Sequence, residues 1–341
     1  MDLFLFGVAG ETRPVDEMGV VDYGIYVCVL NEFAYQFMLS FVSMKNFISV
    51  ILLLIIVSIV QAQSQTQTQP DPPPSTDIYL FPLENGKIVP SGIRNITKRK
   101  GYDNQPHFLP DSKKLFYTSI RDDNQADIFL YDLGNAAAKK ITNTDESEYS
   151  PSLTPDSLFF STIRVEKDGT QRLWKFPLSG GNPVLILEQV KPVGYHAWID
   201  SDRVALFILG EPATLQLADT GSGESVVIAS NIGRSLHKIP GQQKISFVQK
   251  LTEQTGTIKE YDPNDKQTRD LIELFPETED YAWTPTGTLL TTNGSKLYSW
   301  NPEKDKEWRE EIDLSASGLK KITRIAVSPD GKWLALVAED L

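Results

Sequence analysis

Apolar and polar residues alternate with a period of two along most of this chain, the pattern of half-buried strands. Near the C-terminus Ile325-Ala326-Val327 runs into Ser328-Pro329-Asp330-Gly331, and Leu334-Ala335-Leu336-Val337 leaves it. This predicts strand, tight turn, strand. Pro329 presets φ at the first corner, the Asp330 side chain can bond nearby backbone N–H groups, and Gly331 accepts positive φ. One hairpin is marginal in water, but this one recurs. Counted back from Pro329, equivalent turns fall at Pro285, Pro240, Asp200, Pro155 and Pro110, in steps of 44, 45, 40, 45 and 45 residues. Two residues before each anchor stand Phe108, Leu153, Trp198, Lys238, Trp283 and Val327, of which only Lys238 is polar.

A second alternating phrase is interleaved with the first. It reads Asp127-Ile128-Phe129-Leu130-Tyr131-Asp132-Leu133, and returns at Leu173–Leu178, Thr214–Asp219, Ile258–Pro263 and Leu297–Pro302. Short fourth strands follow, such as Lys140-Ile141-Thr142 and Val226–Ala229. Four strands in about 44 residues is the length of one propeller blade. No stretch carries a ten-residue amphipathic helix, so the predicted domain, residues 77–341, is all-β. The second phrase also opens the domain, at Asp77–Leu83, while the last unit stops after two strands. The expected architecture is therefore a six-bladed β-propeller. In it Ile78–Leu83 and Ile93–Thr97 complete the blade begun by Ile325–Ala338 and close the ring.

The residues upstream are of another kind. Met44-Lys45-Asn46, the apolar run Phe47–Val60 and Val60-Gln61-Ala62 match the n-region, h-region and cleavage site of a signal peptide over residues 44–62. The run is short for a membrane span. Translation is expected to start at Met44, leaving 1–43 as an upstream extension outside the true reading frame. The alternative is a cytoplasmic extension on an uncleaved anchor. Residues 63–76, rich in Gln, Thr and Pro, read as a flexible linker. Export follows, to the periplasm or cell exterior, with no stable membrane insertion after cleavage.

The one cysteine, Cys28, precedes the h-region, so the mature chain holds no thiol for a disulfide, a Cys-ligated metal or a lipid anchor. With 33 Lys and Arg against 45 Asp and Glu, the net charge of −12 argues against nucleic acid and anionic membrane surfaces. Lys98-Arg99-Lys100 reads as a solvated strand end.

Ser-Pro-Asp-Gly-Lys-x-Leu-Ala, Asp-Ile-Phe-Leu-Tyr-Asp-Leu and the short Lys-Ile-Thr strand together resemble the PD40, or WD40-like, repeat. That resemblance implies the six-bladed propeller of TolB-like proteins, or a propeller of the prolyl oligopeptidase type, over residues 77–341. It implies a domain that binds a protein or peptide partner, and a monomer is expected.

In such a ring the first strand of each blade lines the channel. Where those strands begin, one mouth is expected to gather Tyr102, Glu148, Tyr195, His196, Arg234, His237, Asp280, Tyr281 and Arg324, with Asp103, Gln105, Tyr149 and Glu279 nearby. A metal reading would have His107, His196 and His237 converge with Glu148 or Asp280. His196 stands four residues before its anchor and the others three, an offset that points it to the opposite strand face. Pore-lining or blade-packing histidines are the expectation, and no cofactor is expected. Asp111, Asp156, Asp200 and Asp330 read as turn-formers, and Trp174, Trp198, Trp283, Trp300 and Trp333 as blade packing. No Gly-x-Ser-x-Gly elbow, P-loop or dinucleotide fingerprint occurs. Asn95-Ile96-Thr97 and Asn293-Gly294-Ser295 fit the N-glycosylation pattern. The leading expectation is a non-enzymatic binding propeller. Its alternatives are a metal-assisted hydrolase or lyase acting on a small sugar or lactone, and a sensor or accessory subunit of a separately encoded enzyme.

Overall fold

A computed structural model describes residues 73–122, 124–179 and 181–339; the upstream extension, the signal-like segment and most of the linker lie outside the described residues. Four sheets have four antiparallel strands each, and a nine-stranded sheet holds two blades joined by one parallel contact, Thr76 with Tyr102. Blade 1 comprises Tyr102–Phe108, Lys114–Ile120, Ala126–Asp132 and Ala137–Lys140. The innermost strands of blades 2 to 6 are Ser147–Leu153, Val193–Trp198, Ile232–Lys238, Tyr281–Trp283 and Ile322–Val327. Among the described residues the only helical turns are 3-10, at Pro90–Gly92 and Ser315–Ser317.

The ring closes as the half-units require. Thr76–Glu84 lies antiparallel on Trp333–Glu339, with Ile78 opposite Val337 and Leu80 opposite Ala335, and Arg94–Asn95 pairs on its other side. Blade 6 thus joins strands from both ends of the domain.

The repeated residues carry repeated work. The carboxylates of Asp111, Asp156 and Asp330 accept the backbone N–H two residues on, at 2.9, 2.9 and 3.0 Å, and Asp200 accepts those of Asp202 and Arg203. The turns then need a left-handed residue: Gly241, Gly287 and Gly331 have φ of 73°, 78° and 68°, while Ser112 and Ser157 adopt 55° and 57°. The Asp-Ile start of the second phrase is explained too. Asp77 accepts the Thr97 hydroxyl at 2.8 Å, and that hydroxyl accepts the Ile78 N–H at 2.9 Å; Asp127, Thr142 and Ile128 repeat the arrangement. Asn95 of the first glycosylation pattern donates to Asp77 at 2.6 Å, so its amide serves this latch.

The core is divided among the blade interfaces. Between blades 1 and 2 Phe160 stacks on Phe176 and Phe116 tilts against Phe160, and Ile78, Leu80, Leu115 and Val337 fill the closing interface between blades 6 and 1. Serines latch two interfaces. Trp283 Nε1 and the Tyr281 hydroxyl both donate to Ser246 Oγ, at 2.8 and 2.9 Å, and Trp198 Nε1 donates to Ser161 Oγ at 2.9 Å. Trp198 and Trp300 are buried; Trp174, Trp283 and Trp333 are half-buried, and Trp333 is capped by the Arg94 guanidinium. Trp308, which the repeat does not flag, tilts against Trp300.

Candidate functional site

The innermost strand of blades 2 to 6 ends its sheet and pairs along one edge only, while that of blade 1 also meets Thr76 at Tyr102; residues of all six line the channel. Five of the six carry a register shift: between Asn104 and His107, Tyr149 and Ser152, Val193 and Tyr195, Ile232 and Leu236, and Ile322 and Arg324. Gln105 and Ser150 bend there at φ of 57° and 53°. A bulge breaks strict alternation and re-aims a side chain, and here it does so at the level where polar groups gather around a channel of about 680 Å3.

The charged group at this neck is built from blades 3 to 6. Arg234 grips the Asp280 carboxylate with Nη2 and Nε, the latter at 3.2 Å, and the Ser235 hydroxyl donates to the same group at 3.2 Å. Arg324 reaches Asp280 from the other side, Nη1 lying 3.6 Å from Oδ1. It also crosses the channel, from blade 6 to the opposite blade 3. Its Nη2 donates to the Tyr195 hydroxyl at 3.2 Å, and its guanidinium lies 5.2 Å from the Tyr195 ring centroid. Burial alone would raise the Asp280 carboxyl, but the Arg324 and Arg234 charges outweigh it and hold it below the ordinary range. Tyr102 is close enough to feel Arg324 and Tyr195, and burial pushes its phenol up to about 12. Glu279 accepts the Arg234 backbone N–H at 2.8 Å and pairs with Lys250 at 3.2 Å.

Other predicted mouth residues are engaged within or between blades. Glu148 is fully buried and takes no part in lining the channel; its Oε1 accepts the Thr144 hydroxyl at 2.5 Å and stands 3.7 Å from Arg164. Its side chain leaves the strand toward blade 1, where Asp127 acts on it, because the strand face opposite the channel-directed bulge packs against that blade. Tyr281 is also buried, spent on the Ser246 latch and on His237, whose ring centroid is 4.8 Å away. Asp103 pairs with Arg99 at 3.3 Å.

The three histidines line the channel wall but look different ways. His107 Nε2 accepts the Leu153 N–H of blade 2 at 3.3 Å, and the His237 ring tilts against Tyr281 of blade 5, so both face the following blade. His196 faces the preceding one, its Nε2 2.7 Å from Ser161 Oγ. Ser161 donates to the Ser152 carbonyl at 3.1 Å, which makes His196 Nε2 the donor and leaves its buried Nδ1 a bare acceptor. Burial holds all three rings neutral, at about 4, 3 and 4 for His107, His196 and His237. The one-residue offset in the sequence is thus seen as opposite strand faces. These donors do not fit a shared metal, and among the described residues no group of three or more His, Cys, Asp or Glu side chains is placed to hold one.

Sequence reasoning missed the serine latches. Ser161 and Ser246 each stand six residues after their anchors, Pro155 and Pro240, a recurrence that could have exposed them.

A ring of six four-stranded blades, closed by strands from both ends and opening on a polar neck, is a six-bladed β-propeller. No family model matches the chain. The fold is similar to a protein described as TolB from Agrobacterium tumefaciens (16% identity, 79% of this chain and 99% of that one, TM-score 0.62). It is similar to TolB from Acinetobacter baumannii (15% identity, 84% and 69%, TM-score 0.52). It also matches an oligogalacturonate lyase in complex with manganese (15% identity, 73% and 80%, TM-score 0.53). At such identities the likeness concerns the fold.

Proposed function

We propose that this is an exported, non-enzymatic propeller that binds a protein or peptide partner in the periplasm or cell envelope, at the face where Tyr102, Tyr195, Arg234 and Arg324 gather. The observation that carries the reading is the neck itself. Tyr195, Arg234 and Arg324 are hydrogen-bonding and stacking groups of the kind that anchor interfaces, half-buried and lining a concavity of about 680 Å3, within the size range of binding clefts. The signal-like segment 44–62 supports export. The histidines that acid–base chemistry would recruit are committed to blade-to-blade contacts.

The test immobilises the mature chain and exposes it to an envelope extract. A specific partner is expected with the wild type and with the turn-face variant Asp156→Ala, and is expected to be lost with Tyr195→Ala and Arg234→Ala. Failure to capture any specific partner, or capture indifferent to the neck substitutions, overturns the proposal. The lyase reading draws on the shared fold. Stoichiometric Mn2+ binding by the purified chain, abolished in His107→Ala, would favour it instead.

A further inference from the structure

We infer that the channel neck is a receptor for the carboxylate of an extended peptide, which docks on Arg324 and Arg234. This rests on the partner-binding reading above and names what the partner presents.

The first argument is charge. The chain as a whole carries −12, yet the charged side chains lining the channel are Arg234, Lys238 and Arg324 against Asp280 alone. The lining histidines are neutral, since burial holds them far below their ordinary range. A cationic channel in an acidic protein concentrates anions locally, and low-dielectric walls focus that field.

The second argument is incomplete pairing. A guanidinium has five N–H donors, and Arg324 spends one on the Tyr195 hydroxyl while its nearest carboxylate oxygen is 3.6 Å away. Asp280 cannot serve it better, because Arg234 and Ser235 already hold that carboxylate at hydrogen-bonding distance. Arg234 also has Glu279 3.9 Å away, whereas among the described residues Arg324 has only the shared Asp280 carboxylate, next to a water-accessible cavity. A second carboxylate could meet Arg324 in the bidentate geometry that suits the pair best.

The third argument selects a peptide over other anions. On blades 3 to 6 the innermost strand ends its sheet; apart from the Arg234 N–H, which Glu279 accepts, its outer edge can be met by an extended backbone with main-chain hydrogen bonds. Pro106 and Pro151 remove donors on blades 1 and 2, so blades 3 to 6, which also carry the charged group, are the side that can pair. Apolar wall residues such as Ala197 and Ile325 leave room for side chains beside the anion.

The experiment is affinity selection on the mature chain with three sets of short randomised peptides. One set has a free C-terminal carboxylate and no Asp or Glu, one is C-terminally amidated with Asp and Glu, and one is amidated without them. Either carboxylate-bearing set is expected to be retained at least about ten-fold over the third, equivalent to about 1.4 kcal/mol. Which of the two is retained tells a chain terminus from an acidic side chain. Arg324→Gln is expected to bring retention within about two-fold of the third set while its Tm stays near the wild type. Should that variant not fold, Arg234→Gln, whose side chain is 36% exposed, gives the same readout. Equal retention of all sets, no retention, or undiminished retention by the folded variants overturns the inference. So does retention of tetragalacturonate in place of peptides, which would assign the anion to a saccharide. If Arg324→Gln keeps the same envelope partner, the carboxylate inference falls and the partner reading stands.

Discussion

Glu148→Gln separates a buried ionisable group from the binding chemistry with which its sequence position associates it. Glu148 is completely buried; Thr144 donates to its Oε1 at 2.5 Å, and its Oε2 has no partner. Arg164 is 3.7 Å from Oε1 but sits closer to Glu146, so its charge is shared. Burial pushes the carboxyl up from 4.5 to about 7. At about 1.4 kcal/mol per pKa unit, ionising Glu148 in the folded chain costs about 3 kcal/mol more than in the unfolded chain. The folded pKa lies above the unfolded one. The neutral form's contribution is therefore fully present below pH 4.5 and is lost as pH rises through about 7. A glutamine side chain there would keep the size and an acceptor for Thr144 but could not ionise. In urea unfolding at fixed ionic strength, the stability of Glu148→Gln relative to wild type is expected to climb by about 2–3 kcal/mol between pH 5 and pH 8. Any constant cost of the amide and the titration of the histidines cancel in that difference. A difference that stays flat across this range would refute the reasoning.

Four further outcomes follow from the scaffold. Leu80→Ala removes a fully buried side chain from the closing interface and is expected to cost about 2–5 kcal/mol in one cooperative transition, measured by denaturant unfolding; removal of residues 77–97 is expected to abolish that transition, and retained thermal stability would contradict ring closure. Ser246→Ala strips the acceptor from Trp283 and Tyr281 together and is expected to lower stability by about 2 kcal/mol or more, with a shift in tryptophan fluorescence. Ser157→Gly relieves a left-handed residue at an exposed turn, φ 57°, and is expected to raise stability by up to about 1 kcal/mol, a gain readable as a higher Tm.

What repeats was legible in the sequence. The Pro-Asp turns, the second alternating phrase and the spacing of six half-units specify blade number and closure, because each depends on contacts within a few residues or between neighbouring copies. The fourth copy keeps its register despite Lys238, which pairs with Ile245 as Phe108 pairs with Leu115. The opposite facing of His196 was legible for the same reason, since strand parity is local. What meets across the ring was set by the tertiary structure. Arg324 and Tyr195 are 129 positions apart and touch only because blades 6 and 3 stand opposite each other. Bulges at the neck shift parity where the binding groups lie, so Glu148 and Arg324, both read as mouth residues, part company: one is buried against blade 1, the other spans the channel. Alternation carries no record of a bulge, and distance along the chain carries none of distance across a closed ring.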